Sequence, residues 1–220
     1  MRTASHRGWT YAGIAIALFG IPAMTTLHRL LAADRTATGG IVGRELAILA
    51  ITAVLLWIVV KREKLPLSSI GLRTDQLGRS LAWSLALAAV CLAAAVACLA
   101  VYGAMGIHYG EGQAISRTLP VTTLAVVRAG FCEEVLYRGY AIERLQSLTG
   151  SKWIAAGISL TLFAAFHFRQ GVAGVFLALV LGSILTAFYL WKRDLLSNIA
   201  AHFLVDFIPN VLLAGLGLVK

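Results

Sequence analysis

Seven long apolar runs, separated by short polar stretches, divide this chain of 220 residues. Each run is close to the length of about 20 residues that an α-helix needs to cross the hydrocarbon core of a bilayer. Backbone in lipid must satisfy its own hydrogen bonds, and a helix does so within one segment. The pattern therefore predicts an all-α fold, a polytopic transmembrane helical bundle of about seven spans. The runs extend over Trp9 to Thr26, Ile41 to Val60, Leu81 to Tyr102, Leu119 to Leu145, Trp153 to Phe168, Val172 to Trp191 and Leu195 to Val219.

The composition is that of a membrane protein. Hydrophobic residues make up 59% of the chain and charged residues 13%, whereas a soluble domain carries about 25% charged residues. The spans leave room only for short loops, so we expect no second, soluble domain. The formal net charge is +9, but the basic residues are scattered over loops and helix ends without a basic arm interleaved with aromatics. We therefore expect no nucleic acid partner.

The basic residues also predict the orientation of the chain. Short loops rich in Lys and Arg stay in the cytoplasm, and the strongest such loop covers residues 61–79. Placing it there predicts an N-terminus on the same side, an uncleaved first span and a C-terminus outside. We expect an integral, multi-pass protein of the plasma membrane of a bacterium, with a cytoplasmic N-terminus. The basic residues on the cytoplasmic side in this arrangement are Arg2, Arg7, Lys61, Arg62, Lys64, Arg73, Arg79, Arg138, Arg144, Lys152, Lys192 and Arg193.

The stretch FCEEVLYRGY places two carboxylates and an arginine inside the fourth apolar run. Ionisable side chains at membrane depth face the bundle interior or a water-filled cavity, and they mark functional sites by default. Glu134 and Arg138 are four residues apart and share a helix face, which predicts an ion pair, whereas Glu133 points elsewhere. We expect Glu133, without an arginine partner, to be the base in a proton transfer. The alternative is one structural charge cluster of all three residues.

Two later runs add histidines. In LTLFAAFHFRQG, His167 follows Phe163 by four residues, so the aromatic ring can fix the orientation of the imidazole. In SNIAAHFLVDFIPN, polar residues recur every four positions and form one stripe, which must face protein or water. A lone histidine on an apolar face is more often a packing residue than a catalyst. The first three runs supply almost no ionisable residue, so we expect the site in the C-terminal half. The polar stripe consists of Asn198, His202, Asp206 and Asn210.

Together these residues suit hydrolysis by one of two chemistries. A glutamate and histidines can activate water and stabilise a developing oxyanion without a cofactor. Alternatively, Glu133, His167 and His202 match the Glu, His and His ligands of one divalent metal such as zinc, with an open position for water. The cofactor is therefore either one such metal or none.

Three motifs resemble those of a known protease family. They are EEVLYRGY, with the pattern E-E-x-x-x-R-G, FAAFH, with F-x-x-x-H, and HFLVD, with H-x-x-x-(N or D). In this order and spacing they resemble the CPBP family, the CAAX protease and bacteriocin-processing (Abi) intramembrane proteases, which are related to the type II CAAX prenyl endopeptidase. The resemblance covers about residues 119 to 210. It implies that residues 119–215 form the catalytic core and residues 1–118 N-terminal transmembrane helices of the same integral membrane domain.

The resemblance implies a role for each motif. The first glutamate of EEVLYRGY activates the hydrolytic water, with help from the histidine of FAAFH. The histidine of HFLVD and the acidic residue that ends this motif stabilise the tetrahedral oxyanion, and the second glutamate and the arginine hold the site together. These residues are, in the same order, Glu133, His167, His202, Asp206, Glu134 and Arg138.

The last motif position is open to three interpretations. Asn is also common where this chain has Asp206, and an ionised carboxylate cannot donate a hydrogen bond to an oxyanion. Either Asp206 is protonated by burial, or it orients His202 through the other ring nitrogen, or it helps to hold a metal. Asn210, one helical turn further, could supply an amide donor in its place.

The sequence therefore predicts an intramembrane endopeptidase that hydrolyses a peptide bond of a membrane-associated protein or peptide. Its partners are the lipid bilayer and that substrate. One alternative is a catalytically idle membrane scaffold or immunity protein with the same fold, and another is a small cation transporter, against which stands the absence of evident repeat symmetry. The basic residues Arg138, Arg144 and Lys152 lead us to expect a cavity that opens toward the cytoplasmic face.

Overall fold

The computed structural model describes residues 4–32, 37–107, 109 and 118–218. In these residues all regular structure is helical and no strand occurs, so the predicted all-α bundle is confirmed. The α-helices are α1 (Ala4–Leu31), α2 (Thr38–Trp57), α3 (Leu77–Ala104), α4 (Leu119–Arg128), α5 (Glu143–Thr149), α6 (Lys152–Ala165), α7 (Gly171–Lys192) and α8 (Leu195–Phe207).

Three of these helices continue in wider, π-helical winding. They are α2, which continues through Ile58–Arg62, α4, through Ala129–Ile142, and α8, through Ile208–Leu213. We call Ala129–Ile142 the π segment; it leads without a break into α5. Winding of this kind closes its hydrogen bonds over five residues and is rare outside single turns, which occur frequently at functional sites. Two short 3₁₀ segments complete the chain, Leu67–Ile70 before α3 and Phe166–Gln170 between α6 and α7.

Five stretches of the described residues are long and apolar enough to cross a membrane. The stretch that ends at Lys192 is 41 residues long because it holds both α6 and α7, which the sequence predicted as two spans. The predicted fourth run, Leu119 to Leu145, is helical, but the six charged residues between Arg128 and Arg144 keep it out of this set. The five stretches are Arg7–Leu31, Thr38–Arg62, Leu77–Ala104, Lys152–Lys192 and Leu195–Leu213.

Helices α6 and α7 form a hairpin. The chain turns at Gly171, whose positive φ of 76° suits glycine. Eleven residues later a Cβ at Gly182 would lie 2.8 Å from Leu160 and 3.2 Å from Phe163, so α7 packs back along α6. Within the described residues the chain thus passes along the bundle seven times, in α1, α2, α3, α4 to α5, α6, α7 and α8. The number of membrane spans stays a prediction, and Val219, the predicted end of the last one, lies outside the described residues.

One end of the bundle carries all of the tryptophans. We call it the tryptophan end; α1, α3, α6 and α8 begin there. Buried Glu63 directly follows the π-helical continuation of α2. It accepts hydrogen bonds from Thr10 Oγ1 at 2.9 Å and from Arg144 Nε at 2.8 Å. These bonds tie α1, α2 and α5 together at this end. The tryptophans are Trp9, Trp57, Trp83, Trp153 and Trp191.

The opposite end, which we call the far end, is where α2, α4 and α7 begin. Tyr102 Oη, near the end of α3, donates to the carbonyl oxygen of Ala173 in α7 at 2.8 Å. Arg169, in the turn between α6 and α7, donates to Thr26 Oγ1 of α1 at 3.4 Å. The alternation of the helices therefore places the turn that follows α6 and the end of α8 on the same side of the bundle.

The π segment is the central element of the bundle. All of its residues are buried except Phe131 and Glu133, which are partly exposed. Gly130 allows α8 to approach it closely, because a Cβ at this position would lie 2.9 Å from the backbone nitrogen of Phe203. Small residues at helix contacts are the usual means of such close approach in membrane proteins.

We predict that Gly130→Ala lowers the free energy of unfolding by about 1–3 kcal/mol, because the new methyl group meets backbone that cannot move aside as a side chain can. Gly157→Ala is the matched control, since Gly157 lies in α6 with no atom within 4 Å of the added Cβ. Alanine there should leave stability unchanged or raise it by about 0.5–1 kcal/mol. Denaturant unfolding in detergent micelles measures both; equal stability of the two variants would contradict the close approach.

Candidate active site

A buried ion pair lies at the centre of the π segment. Arg138 Nη1 donates to Glu134 Oε1 at 2.8 Å, and neither side chain is more than 1% exposed. Arg138 Nη2 donates to the carbonyl oxygen of Gly182 in α7 at 3.3 Å. The guanidinium carbon also lies 4.2 Å from the ring centre of Phe163 in α6. The ion pair predicted from the spacing is therefore present, and α6 and α7 enclose it.

Glu134 also holds α8 in place. Asn198 Nδ2 donates to Glu134 Oε2 at 3.1 Å and to the carbonyl oxygen of Leu185 at 3.0 Å. His202, one turn further along α8, lies with Nδ1 2.8 Å from Glu134 Oε1. Because a carboxylate oxygen accepts, Nδ1 of His202 carries a proton and donates it. The second glutamate of the motif thus fixes which way the imidazole of His202 points.

Glu133 points away from Arg138, as expected, but our expectation that it has no arginine partner is wrong. Arg128 Nη1 donates to Glu133 Oε1 at 2.9 Å, and Arg128 Nε donates to Glu45 Oε2 of α2 at 2.6 Å. Arg44 contacts the same Glu45 carboxylate. The spacing from Arg128 to Glu133 is five residues, which is one hydrogen-bonded turn of a π-helix rather than of the α-helix assumed from the sequence.

The two glutamates still differ in their surroundings. The Glu133 side chain is 13% exposed, whereas that of Glu134 is fully buried. Glu134 uses both carboxylate oxygens for hydrogen bonds. Glu133 uses Oε1 alone within the described part of the chain. An oxygen of Glu133 is therefore available to a water molecule or a substrate.

His167 lies just beyond α6, in the 3₁₀ turn at the far end. Its Nδ1 lies 2.8 Å from the carbonyl oxygen of Phe163, and the two rings are 4.8 Å apart. A carbonyl oxygen can only accept, so Nδ1 is protonated and Nε2 of the neutral ring keeps its lone pair. The expected contact with Phe163 is present. The ring of Phe163 also lies against Arg138 and so connects His167 to the buried ion pair.

Asp206 follows His202 by one turn on α8. Its Oδ2 lies 3.6 Å from His202 Nε2, which is too far for a hydrogen bond. Glu134, not Asp206, therefore orients His202. The side chain of Asp206 is 34% exposed, and the amide of Asn210 donates to the backbone oxygen of Asp206 at 2.8 Å. That amide is thus engaged within its own helix.

These side chains form one electrostatic group. Arg128 connects Glu45 to Glu133, and Asp206 faces His202 at 3.6 Å. Direct hydrogen bonds connect the first motif to the last one through Glu134 and His202. The structure therefore places the first and last motifs in direct contact and connects the second motif to the ion pair through Phe163, and α2 adds Glu45 to the group.

The metal alternative requires Glu133, His167 and His202 to face one point. In the described residues no three His, Cys, Asp or Glu side chains are grouped so that they could hold a metal ion. Oε1 of Glu133 binds Arg128 and Nδ1 of His202 binds Glu134, so each of these side chains keeps only its other oxygen or nitrogen for a ligand. The side chains as they stand do not fit a three-ligand site.

The accessible members of the group lie toward the far end, against our expectation of a cavity at the opposite face. Of the three basic residues on which that expectation depended, Arg138 and Arg144 are buried and Lys152 is exposed. Two surface clefts, of about 410 Å³ and about 60 Å³, both include Arg73 and lie at the tryptophan end. They are therefore separate from the candidate site.

Four residues of the site received no role from the sequence: Asn198, Glu45, Arg44 and Arg128. Asn198 belonged to the polar stripe but received no role, and its place four residues before His202 was the available signal. Glu45 lies in an apolar run of the N-terminal half, where we expected almost no ionisable residue. A single carboxylate in an apolar run indicates a buried ion pair with another helix, because a buried carboxylate in a membrane protein requires a partner.

Comparison with known proteins supports the motif assignment. Residues 115–208 match the family model described as type II CAAX prenyl endopeptidase Rce1-like. The matched region contains every residue of the candidate site except Glu45 and Arg44. No curated protein and no solved structure matches the chain.

We predict that Glu134→Gln and Glu133→Gln differ strongly in stability. Glu134→Gln leaves the buried guanidinium of Arg138 without a counter-charge and should lower the free energy of unfolding by about 3–5 kcal/mol. Glu133→Gln leaves Arg128 bound to Glu45 and should cost about 1 kcal/mol or less. Denaturant unfolding in the same detergent compares the two isosteric variants. An equal loss of unfolding free energy in both variants would show that the ion pair of Glu134 with Arg138 contributes no more to stability than that of Glu133 with Arg128.

Proposed function

We propose that the chain is an intramembrane endopeptidase related to the type II CAAX prenyl endopeptidase Rce1-like family, whose model residues 115–208 match, and that Glu133 is the base that activates water. The observation that carries this proposal is the hydrogen bond of 2.8 Å between Glu134 and His202. This bond brings the last motif against the first, which carries Glu133. The substrate is a peptide bond of a membrane-associated protein or peptide, and the bilayer is the second partner.

Glu133 is suited to accept a proton because one of its oxygens is available and Arg128 fixes the other. Arg128 holds the carboxylate in one orientation, as a positioned base requires. Glu45 in turn holds Arg128 at 2.6 Å. The proposed base therefore depends on α2, which lies outside the region that matches the family.

His167 is the proposed second group on the water molecule. The hydrogen bond from Nδ1 to the backbone of Phe163 leaves Nε2 able to accept a hydrogen bond. Water held between a carboxylate oxygen and a neutral imidazole nitrogen has a lone pair free to attack a carbonyl carbon. The partial exposure of both side chains allows water to reach them.

His202 is the proposed oxyanion donor. Carboxylates stand near both ring nitrogens, Glu134 at Nδ1 and Asp206 at 3.6 Å from Nε2. In a doubly protonated ring Nε2 also carries a proton. Because Asp206 is too far away to accept a hydrogen bond from Nε2, this proton is available to the oxyanion. A preorganised donor of this kind acts most strongly in a site from which bulk water is excluded.

In the proposed reaction the water oxygen bonds to the carbonyl carbon while Glu133 accepts the proton, and the carbonyl electron pair moves to the oxygen that His202 binds. This electron pair then re-forms the carbonyl group as the bond between carbon and nitrogen breaks, and Glu133 passes the proton to the leaving amide nitrogen. Glu134 and Arg138 do not contact the reacting atoms and serve as positioning residues for His202.

We predict that Glu133→Gln and His167→Ala each lower kcat/KM by about 10²–10⁴, the usual contribution of a general base or its partner. The assay incubates detergent-purified protein with a library of membrane-anchored peptides that includes prenylated and unprenylated members. Glu143→Gln is the matched control, because this glutamate binds Tyr189 and Arg193 at the tryptophan end. It should keep full activity.

The same experiment tests the alternative of a catalytically idle membrane protein. The ion pair between Arg128 and Glu133 is the observation that favours this alternative, since it engages one oxygen of the proposed base. Cleavage at the wild-type rate by Glu133→Gln would exclude the proposed mechanism. Absence of cleavage by the wild-type protein throughout the library would favour the idle protein.

We also predict that chelation leaves the activity unchanged. The basis is that, in the described residues, no three His, Cys, Asp or Glu side chains are grouped so that they could hold a metal ion. Elemental analysis of the chelated protein, with peptide cleavage followed in parallel, provides the test. Loss of cleavage that one divalent metal restores would show that these side chains rearrange into a metal site.

A further inference from the structure

The two ends of the bundle differ in their exposed positive charge. At the tryptophan end eight Lys and Arg residues are exposed, whereas at the far end the described residues include only Arg29 and Arg169 as exposed basic side chains. Two further arginines near the far end, Arg44 and Arg128, bind carboxylates within the bundle. The exposed residues of the tryptophan end are Arg7, Lys61, Arg62, Lys64, Arg73, Arg79, Lys152 and Arg193.

This asymmetry remains when the loops are counted by sequence alone. The loops that join helices at the far end add Arg35 and Arg117 to that count and the C-terminus adds Lys220, whereas the N-terminus adds Arg2 to the other. Lys and Arg in short loops near the ends of spans bias those loops toward the cytoplasm, whereas Asp and Glu contribute little. The tryptophan end therefore carries the stronger cytoplasmic signal.

The tryptophans show where this end meets the membrane surface. Tryptophan rings prefer the level of the lipid headgroups, and Trp153 and Trp191 are 69% and 65% exposed. Lys192 lies 3.5 Å from the ring centre of Trp191 and 4.6 Å from that of Trp83. Contacts of this kind suit the boundary between lipid and water, where the ring stays in apolar surroundings and the ammonium group extends toward water.

The candidate active site lies on the other side of this arrangement. His167 occupies the turn at which α6 ends and α7 begins, and Asp206 lies just past the middle of the continuous helix that α8 forms with Ile208–Leu213. Tyr109, which follows α3, lies beside this turn, because its hydroxyl donates to Gln170 Oε1 at 3.2 Å. The exposed part of the site is therefore at the far end.

We infer that the active site opens on the non-cytoplasmic face of the membrane, and that its substrate is a membrane-anchored polypeptide whose cleaved segment has already crossed the bilayer. The inference about the substrate rests on the proposed function; the inference about sidedness rests on charge, aromatic residues and helix direction alone. A site on this face can cleave exported peptides and the extracytoplasmic segments of membrane proteins. It cannot cleave a peptide bond that stays in the cytoplasm.

Single cysteines test the sidedness without any assay of activity. Cys91, Cys98 and Cys132 are first replaced by alanine, and one cysteine is then introduced at an exposed, uncharged position. Thr38→Cys and Thr118→Cys report on the far end, and Ser68→Cys and Thr149→Cys on the tryptophan end. A membrane-impermeant thiol reagent is applied to intact cells and to inside-out vesicles, with total label determined in detergent.

We expect about tenfold more label on the far-end cysteines than on the others in intact cells, and the reverse ratio in inside-out vesicles, as the charge bias requires. The reverse pattern, or equal labelling in both preparations, would overturn the inference. Two positions are used at each end of the bundle, so that if one cysteine variant does not fold, the other variant at the same end still reports the labelling of that end.

A second measurement addresses the substrate class. A peptide that the purified protein cleaves is fused to a single membrane anchor in both orientations and produced together with the wild-type protein or with Glu133→Gln. Cleavage of the outward-facing fusion by the wild-type protein alone is expected. Cleavage of the cytoplasmic fusion would overturn the substrate assignment. If the purified protein cleaves no peptide, the proposed function fails while the labelling result still decides the sidedness.

Discussion

The buried pair of Glu134 and Arg138 is the interaction on which the rest of the site depends. Burying both charges is tolerable only because each meets a partner of opposite sign and because polar groups satisfy what remains. The carbonyl oxygen of Gly182, the amide of Asn198 and the imidazole of His202 supply these groups. Since they come from α7 and α8, satisfying one ion pair fixes how three helices meet.

Close packing makes this arrangement possible. Gly130 brings the π segment against the backbone of α8, and Gly182 brings α7 against Arg138. The ring of Phe163 lies between Arg138 and His167, so the position of the histidine turn depends on the same pair. A side chain of larger volume at either glycine would separate helices that must touch for Glu134 to reach its partners.

The N-terminal helices contribute to the site although they lie outside the region that matches the family. Glu45 of α2 holds Arg128, and Arg128 holds Glu133. At the tryptophan end Glu63 ties α1, α2 and α5 by hydrogen bonds to Thr10 and Arg144. These contacts fix the π segment at both ends, so the proposed base is positioned by the whole bundle and not by its C-terminal half alone.

The sequence by itself determined the helical class, the path of the chain and the ion pair at the centre of the site. Apolar runs of membrane length indicate helices, because a helix satisfies its backbone hydrogen bonds within one segment. Charged side chains in such runs indicate a site, because burying a charge in lipid is costly and is retained mainly where it serves a function. The spacing of four residues was sufficient to predict that Glu134 binds Arg138. Local pattern carried this information because residues one turn apart on a helix are neighbours whatever surrounds them.

Only the tertiary structure decided the partners between helices. That Arg128 binds Glu133 depends on π winding and on Glu45 from a helix 83 residues away in sequence, neither of which the local pattern encodes. That Glu134 and not Asp206 orients His202 depends on the approach of α8, and the end at which the site opens depends on where helices α6 and α8 stop. Spacing within one helix specifies a face; which helix covers that face is set by the packing of the complete bundle.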